Sequence, residues 1–259
     1  MIIKWRSFLN RVVWLSKIFC LLSIWMQPIL AETASEIVQQ SEALMRGKTQ
    51  IGTYQMQITS PDWQRSLKMD FWIEGQNKSF IRILEPKKER NVSFLKLKNE
   101  IWQYIPKVKR TIKIPPSMML QSWMGSDFTN DDLVRKSSTT EDYTHNLLAK
   151  SGIDGTSTYQ IELIPKPEAP VVWDRIVQWI RVKDYIPLKS EFYNLRGELN
   201  RTIIYSQIKK MDDRRIPTRI EIFTTKKPDN KTVLLIESMD FDGPIPSSIF
   251  TQRNLKRMR

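Results

Sequence analysis

The chain has 259 residues, and its 41 Lys and Arg against 28 Asp and Glu give a formal charge of +13 at pH 7. One cysteine and one histidine exclude a disulfide scaffold and a zinc site, which need several such ligands. The eight glycines form no phosphate-binding loop, so we expect no cofactor and no metal.

Residues 1–31 have the pattern of a secretory signal peptide. Four basic residues lead into an apolar stretch, Ile18 to Ile24, that is too short to span a bilayer, and the segment ends at Ala31. The remaining residues, 32–259, lack the single Cys20, and the chain's +13 less those four basic charges leaves them +9. We therefore predict a periplasmic monomer whose basic surface favours anionic lipid headgroups over nucleic acid.

The pattern after the signal predicts one helix followed by many strands. Apolar residues recur at three- and four-residue spacing from Thr33 to Gly47, and Gly47 suits a helix end. Leu67, Met69, Phe71 and Ile73 then alternate with polar residues, with Trp72 as the exception, as in a strand with one buried face. Further strands are predicted at Lys78–Leu84, Val92–Leu97, Ile101–Ile105, Val108–Ile114, Tyr159–Ile164, Ile176–Val182, Pro187–Tyr193, Thr202–Ile208, Thr218–Thr225 and Val233–Phe241.

About ten short strands without a linker predict a mainly β (α+β) domain over residues 32–259. We expect a single curved antiparallel sheet, because a sheet of this size must curl and its apolar face must be covered by other segments, such as a lid. The lid candidate is Met118 to Val134, MMLQSWMGSDFTNDDLV, in which Thr129 and Asp132 resemble a helix capping box.

The lid is rich in methionine, which adapts to irregular apolar partners. Such residues often only fill a core, but one helix and one lid leave much of a ten-stranded inner face uncovered. We therefore predict an apolar cavity that takes acyl chains. Alternation and lid position give its expected lining as Met56, Leu67, Met69, Phe71, Phe94, Trp102, Tyr104, Met118, Met119, Trp123, Met124 and Phe128.

Three segments carry a resemblance to a known family. They are IWQYIPKVKRTIKIP from Ile101, the lid sequence from Met118, and IFTQRNLKR from Ile249. Together they resemble the bacterial outer-membrane lipoprotein-sorting proteins of the LolA-like class, in the branch that accompanies RND-type exporters. The resemblance implies a single curved sheet that forms an incomplete β-barrel round a helical lid, with an apolar interior that takes lipid acyl chains. We predict a carrier of a lipid or of the acyl chains of a lipoprotein, and not an enzyme. An early-strand arginine matters in those carriers, and the sequence assigns that role to neither Arg65 nor Arg82.

Alternative interpretations remain open at this stage. A lipid hydrolase would have to use His145, with Ser126 and Asp127 as its partners. The basic side chains Lys107, Lys109 and Lys113 either form a solvated face or dock to anionic headgroups or a partner. In the latter case the chain could also serve as an accessory of a membrane exporter that binds no lipid.

Overall fold

The computed structural model describes residues 32–130, 132, 138–169 and 171–257. The predicted signal peptide and the lid residues 131 and 133–137 lie outside the described residues. Two α-helices, α1 at Ala34–Arg46 and α2 at Gln252–Leu255, accompany thirteen strands in the described ranges. The strands are β1 Thr49–Ser60, β2 Trp63–Glu74, β3 Lys78–Glu85, β4 Ser93–Leu97, β5 Glu100–Ile105, β6 Arg110–Lys113, β7 Tyr143–Ile153, β8 Thr156–Pro165, β9 Arg175–Arg181, β10 Pro187–Tyr193, β11 Leu199–Met211, β12 Arg214–Thr224 and β13 Lys227–Phe241.

Helix α1 confirms the predicted helix, and its ends are fixed by local chemistry. The Thr33 hydroxyl accepts from the Glu36 amide, and the Glu36 carboxylate accepts from the Thr33 amide, which together form a capping box. Gly47 ends the helix with a φ of 61°, a conformation that glycine adopts at little cost. The helix buries Ile37 and Val38 against the sheet.

All thirteen strands form one antiparallel sheet that does not close. Its order is β6-β5-β4-β3-β2-β1-β13-β12-β11-β10-β9-β8-β7, so every strand pairs with its chain neighbour except at the junction of β1 and β13. The two edges, β6 and β7, are consecutive in the chain, and the described part of the connection between them packs Met119, Trp123, Met124 and Phe128 on the inner face. This arrangement confirms the predicted incomplete barrel with a lid.

Alternation along the strands places an apolar set on the inner face. Met56, Leu67, Met69, Ile83 and Phe94 belong to one buried cluster beneath the lid. The outer face of β3 to β5 is also covered, because the C-terminal segment packs Phe250 and Leu255 on it. Each of these three strands, which lie near the β6 edge of the sheet, is therefore buried on both faces.

The strand predictions failed at several places. Strands β12 and β13 begin at Arg214 and Lys227, earlier than the predicted starts at Thr218 and Val233. Strands β1 and β7 were missed, and the predicted strand Val108–Ile114 begins too early. Pro106–Val108 instead forms a 3-10 turn, and Lys109 has a φ of 48°. The turn returns the chain into a hairpin in which Ile105 pairs with Arg110.

Candidate ligand cavity beneath the lid

The described part of the lid is a small loop closed on itself. The Trp123 amide donates to the Phe128 carbonyl at 2.7 Å, and the Asn130 amide donates to the Gln121 carbonyl at 3.0 Å. Between them, Met124 and Gly125 have φ values of 53° and 83°. A glycine suits the second position because of its positive φ, which other residues rarely adopt.

Aromatic and methionine side chains seat this loop on the inner face. Trp123 is 3% exposed and meets Phe94 edge to face, with 5.2 Å between ring centroids. Met119, Met124 and Phe128 pack against the same buried cluster. The apolar part of the lid is thus a plug for the sheet, as its composition predicted.

Asp127 anchors the lid from inside. Its amide donates to the Thr232 hydroxyl at 2.9 Å, and that hydroxyl donates back to the Asp127 carboxylate at 2.7 Å. The Thr224 hydroxyl donates to the other carboxylate oxygen at 3.3 Å. Asp127 and Thr232 are both buried, so these hydrogen bonds compensate the burial of the carboxylate.

Arg201 provides a second anchor. Its guanidinium donates to both Asp132 oxygens at 3.0 Å and to the Asp127 carbonyl at 3.1 Å. The side chains of Arg201 and Asp132 are only 7% and 11% exposed. The Asp132 carboxylate also accepts a hydrogen bond from the Thr129 amide, and the Asp132 amide donates one to the Thr129 hydroxyl. This pair of hydrogen bonds is the capping box predicted from the sequence.

Arg65 of β2 contacts the opposite end of the loop. Its guanidinium donates to the Met124 carbonyl at 2.8 Å and pairs with Glu89 at 2.5 Å. Arg82 of β3 lies on the outer face instead, where it donates to the Asn254 carbonyl at 2.7 Å. Of these two early-strand arginines, Arg65 is the one that touches the lid.

A cavity of about 870 Å³ opens between the inner face, α1 and the lid. Its volume lies in the range of small-molecule sites, roughly 300–1,000 Å³. The apolar wall consists of Tyr54, Met56, Met69, Phe71, Ile73, Ile81, Trp123, Phe128 and Leu234. The mouth is polar, with Gln39, Glu42, Arg46, Lys48 and Gln76 among its residues, and Lys96 lies on the wall.

A close ring stack shapes the floor of this cavity. Tyr54 and Phe71 lie 3.8 Å apart and nearly parallel, at 11°. Gly52 pairs with Phe71 across the strands, and a Cβ at Gly52 would meet the Phe71 ring at 2.9 Å. Burial raises the pKa of Tyr54 above its ordinary value, so its hydroxyl stays neutral at physiological pH.

Glu42 ties α1 to the chain that returns from the lid. Its carboxylate accepts from the Thr139 hydroxyl at 2.7 Å, from the Thr140 amide at 3.0 Å and from the Ser138 hydroxyl at 3.0 Å. Burial alone would raise the pKa of Glu42. The hydrogen bonds from these three residues and the charge of Arg46 outweigh it and hold the pKa below its ordinary value.

Comparisons with known proteins agree with this architecture. A family model described as "Uncharacterized protein" matches residues 75–257, well over half of the chain. A solved LolA superfamily protein from Nitrosomonas europaea is 25% identical, covers 86% of this chain and 100% of its own, and superposes with a TM-score of 0.71. The chain belongs to the LolA-like family.

Two further structures share the fold of this LolA-like chain. An outer membrane lipoprotein-sorting protein domain from Vibrio parahaemolyticus is 24% identical, with a TM-score of 0.73 and coverage of 86% of this chain and 98% of its own. A protein of the DUF1329 family from Desulfovibrio piger is 18% identical, with a TM-score of 0.77 and coverage of 86% and 97%. No curated protein sequence matches the chain.

The LolA-like structure distributes the predicted lining residues over four environments. Met56, Met69, Phe71, Trp123 and Phe128 line the cavity. Leu67, Phe94, Met119 and Met124 instead belong to the packed cluster beneath the lid. Met118 is 39% exposed.

Trp102 and Tyr104 were placed on the wrong face. Both belong to the outer cluster, where they pack with Leu95, Phe250 and Leu255 beneath the C-terminal segment. Ile101, which alternates with them, lies in the inner cluster. The error arose because an aromatic row on a covered outer face has the same period as one on the inner face.

The predicted docking lysines occupy two environments. Lys107 and Lys109 are exposed in the turn between β5 and β6, beside Val108, which is 53% exposed. Lys113 is exposed on the edge strand, where it pairs with Glu100 and lies 5.8 Å from the Trp102 ring centroid.

The three residues of the hydrolase alternative each have separate partners. The Ser126 hydroxyl donates to the Trp123 carbonyl at 2.7 Å, Asp127 is held by Thr232, and His145 Nε2 contacts the Thr139 carbonyl at 2.7 Å. Within the described ranges no hydrogen bond joins Ser126 to His145, as a nucleophile and its base require. Nor do the described residues contain a cluster of three metal-ligating side chains.

Sequence reasoning missed several residues of the cavity. Tyr54 lines the cavity but was not predicted, because its strand was not predicted. Ile81 and Leu234 lie in strands that were predicted, but the sequence analysis did not include them in the lining. The polar mouth was not foreseen either, because it is assembled from α1, the β2–β3 turn and the chain after the lid. Among the described residues, no helix is long and apolar enough to cross a membrane.

Proposed function

We propose that this chain is a periplasmic carrier that binds a lipid, or the acyl chains of a lipidated protein, in the cavity beneath the lid. It would shuttle that cargo between the inner and outer membranes. The observation that carries the proposal is an apolar-walled cavity of about 870 Å³ between the sheet and a methionine-rich plug. The description of the Vibrio relative as a lipoprotein-sorting domain supports the same class of cargo.

The energetics suit a carrier better than a permanent binder. Sequestering a chain of about sixteen carbons from water is worth roughly 13 kcal/mol gross, at about 0.8 kcal/mol per methylene. A bilayer offers the same chain a comparable environment, so a soluble protein competes with the membrane for the chain but does not bind it much more strongly. Adaptable methionine packing and hydrogen bonds to loop carbonyls allow the plug to be displaced.

Native mass spectrometry of gently purified protein tests the proposal. We expect co-purified lipid, or uptake of an added fluorescent fatty acid in stoichiometric amount. Protein that carries no lipid and takes up no fatty acid would contradict the carrier. A parallel assay of phospholipid turnover, with Ser126→Ala beside the wild type, tests the hydrolase alternative, which requires turnover that this variant abolishes.

The exposed turn between β5 and β6 is the proposed docking surface for an anionic membrane. Lys107 and Lys109 flank the exposed Val108, a combination that binds anionic interfaces through charge and apolar contact. Charge reversal at Lys107 and Lys109 should lower sedimentation with phosphatidylglycerol vesicles. The same reversal at the exposed Lys87 and Lys88 serves as the control, and equal losses would contradict the assignment.

An RND-type inner-membrane exporter is the proposed protein partner. Its support is the resemblance of the lid and basic-strand sequences to the exporter-associated branch. Co-purification of the tagged chain with that exporter is the direct test. Binding to the exporter by a chain that carries no lipid would favour the accessory role over the carrier.

A further inference from the structure

A buried lysine faces the cavity from the inner wall. Lys96 is 7% exposed and is the only buried lysine among the described residues. Its cross-strand neighbours are Ser79 and Ile101, and its ammonium donates to the Gln76 carbonyl at 2.6 Å. Lysine is almost never buried unless partners compensate the lost hydration, and the Gln76 carbonyl is one such partner. This hydrogen bond fixes the ammonium in the cavity wall.

Two more cations stand at the same end of the cavity. Lys48 lies next to the β2–β3 turn, because its carbonyl accepts from the Gly75 amide at 2.9 Å. Gln76, which holds the Lys96 ammonium, follows in that turn. Arg46 comes from the last turn of α1, and all three cations line the cavity.

The carboxylates along the cavity are mostly engaged elsewhere. Of the four that line it, Glu42 accepts from the residues after the lid and pairs with Arg46 at 3.6 Å, so it offsets part of the Arg46 charge but not that of Lys96 or Lys48. Asp132 pairs with Arg201. Asp242 pairs with Arg214 at 2.7 Å and accepts from the Lys48 amide. The fourth, Glu141, is exposed. The end of the cavity near Lys96 therefore presents positive charge to a guest.

We propose that the cargo carries an anionic group, a phosphate or a carboxylate, that binds Lys96 with Lys48 and Arg46 while its acyl chain lies along the apolar wall. This inference rests on the proposed function and narrows its cargo. The lipid end of an acylated protein offers ester and amide groups but no anion, so the site favours an acidic phospholipid or a fatty acid over a lipoprotein. Charge-assisted hydrogen bonds to a largely desolvated ammonium are the strong kind.

Binding of three lipids with the same acyl length tests this cargo assignment. The probes are dipalmitoylphosphatidylglycerol, palmitate and the uncharged dipalmitoylglycerol, each measured by native mass spectrometry. We expect the wild type to bind at least one anionic probe about 10-fold more tightly than dipalmitoylglycerol, the scale of one charged hydrogen bond. Preference for the phospholipid indicates a phosphate headgroup, and preference for palmitate indicates a carboxylate.

Variants at Lys96 separate charge from packing. Lys96→Met should reduce the anionic preference to about threefold or less while dipalmitoylglycerol still binds, whereas Lys96→Arg should keep it. Lys98→Met, in the turn between β4 and β5, is the control and should bind as the wild type does. Thermal unfolding verifies that each variant is folded.

Equal affinity of the wild type for charged and uncharged probes would overturn the proposal and leave the carrier intact. An unchanged preference in folded Lys96→Met would do the same. Failure to bind all three probes overturns both the cargo assignment and the carrier function.

Discussion

Arg201 places a guanidinium on the inner wall of the sheet, where it pairs with Asp132 of the lid. Removing one partner of a buried ion pair leaves the other charge uncompensated, which costs about 3–5 kcal/mol. Arg201→Ala should therefore lower the free energy of unfolding by about 3 kcal/mol in urea denaturation.

A more exposed arginine provides the comparison for that measurement. Arg219 pairs with Glu221 at 3.1 Å on the outer face, with the arginine side chain 27% exposed. Arg219→Ala should cost less than about 1 kcal/mol, as partly solvated pairs do. Equal losses in the two variants would show that Asp132 does not depend on Arg201.

Glu42 gives a prediction with a defined pH dependence. Because the folded state lowers its pKa, the stabilisation it provides is complete above the unfolded value, near 4.5, and is lost as the pH falls through the lower folded value. Glu42→Gln should be less stable than the wild type by about 1 kcal/mol at pH 7, the scale of a net hydrogen bond. The difference in urea midpoint should shrink between about pH 5 and pH 3.

An exposed carboxylate serves as the control for this titration. Glu168 lies in the turn after β8, and Glu168→Gln should leave the urea midpoint unchanged at both ends of the range. If the effect of Glu42→Gln grows as the pH falls, the assigned direction of the Glu42 pKa is wrong.

At the scale of elements, Arg65 connects β2 to the lid loop through the Met124 carbonyl. Arg65→Ala should raise amide hydrogen exchange across residues 118–130 by several-fold, because the loop loses a charge-assisted hydrogen bond at one end. Uptake of a fluorescent fatty acid should become faster as well. Hydrogen–deuterium exchange mass spectrometry measures the first effect directly.

Arg90 offers a matched control for the Arg65 variant. It also donates to a main-chain carbonyl, that of Leu84 at 3.1 Å, but its exposed side chain does not touch the lid in the described structure. Arg90→Ala should leave exchange in residues 118–130 unchanged. If both variants loosen the loop alike, the effect is not specific to the Arg65 contact.

Strands with apolar alternation or a continuous apolar run were predictable from the sequence, and strands with neither were not. Leu67 to Ile73 alternate cleanly, and the structure puts them on the inner face. Strand β7 was missed because it is an edge strand exposed on both faces, so it has no apolar alternation. Strand β1 was missed because its inward positions begin with Gln50 and Gly52, which give no apolar signal.

The same reasoning explains the errors in the candidate site. Trp102 and Tyr104 alternate as inner residues would, but they pack beneath a C-terminal segment more than 140 residues later in the chain. The polar mouth is likewise built from contacts distant in sequence, such as Glu42 with Thr139. The local pattern of apolar residues shows that a strand face is buried, but it does not show which segment of the chain packs on that face.

At the scale of the whole molecule, the order of the strands determines where the lid lies. Strands β1 to β6 form one run of sequential antiparallel neighbours, and β7 to β13 form another. Pairing of β1 with β13 joins the two runs, so β6 and β7 are the free edges. The lid belongs to the chain that connects these two edges. The Trp123 plug covers the part of the inner face near Phe94. The part nearer α1 is left to the cavity, and filling that space should abolish binding without unfolding the protein.

Ile81→Trp tests this division of the inner face. Ile81 lines the cavity and is partly buried against two inner clusters, so an indole there would project into the space proposed for an acyl chain. Overpacking of a solid core costs about 1–3 kcal/mol, but a cavity can take the added volume with a smaller loss. We expect fatty-acid uptake to fall at least about 10-fold while the urea midpoint changes little.

Ile204→Trp makes the same substitution at a site 37% exposed and should bind normally. Normal uptake by Ile81→Trp would mean that the acyl chain lies elsewhere, and strong destabilisation would mean that the wall around Ile81 is packed rather than open.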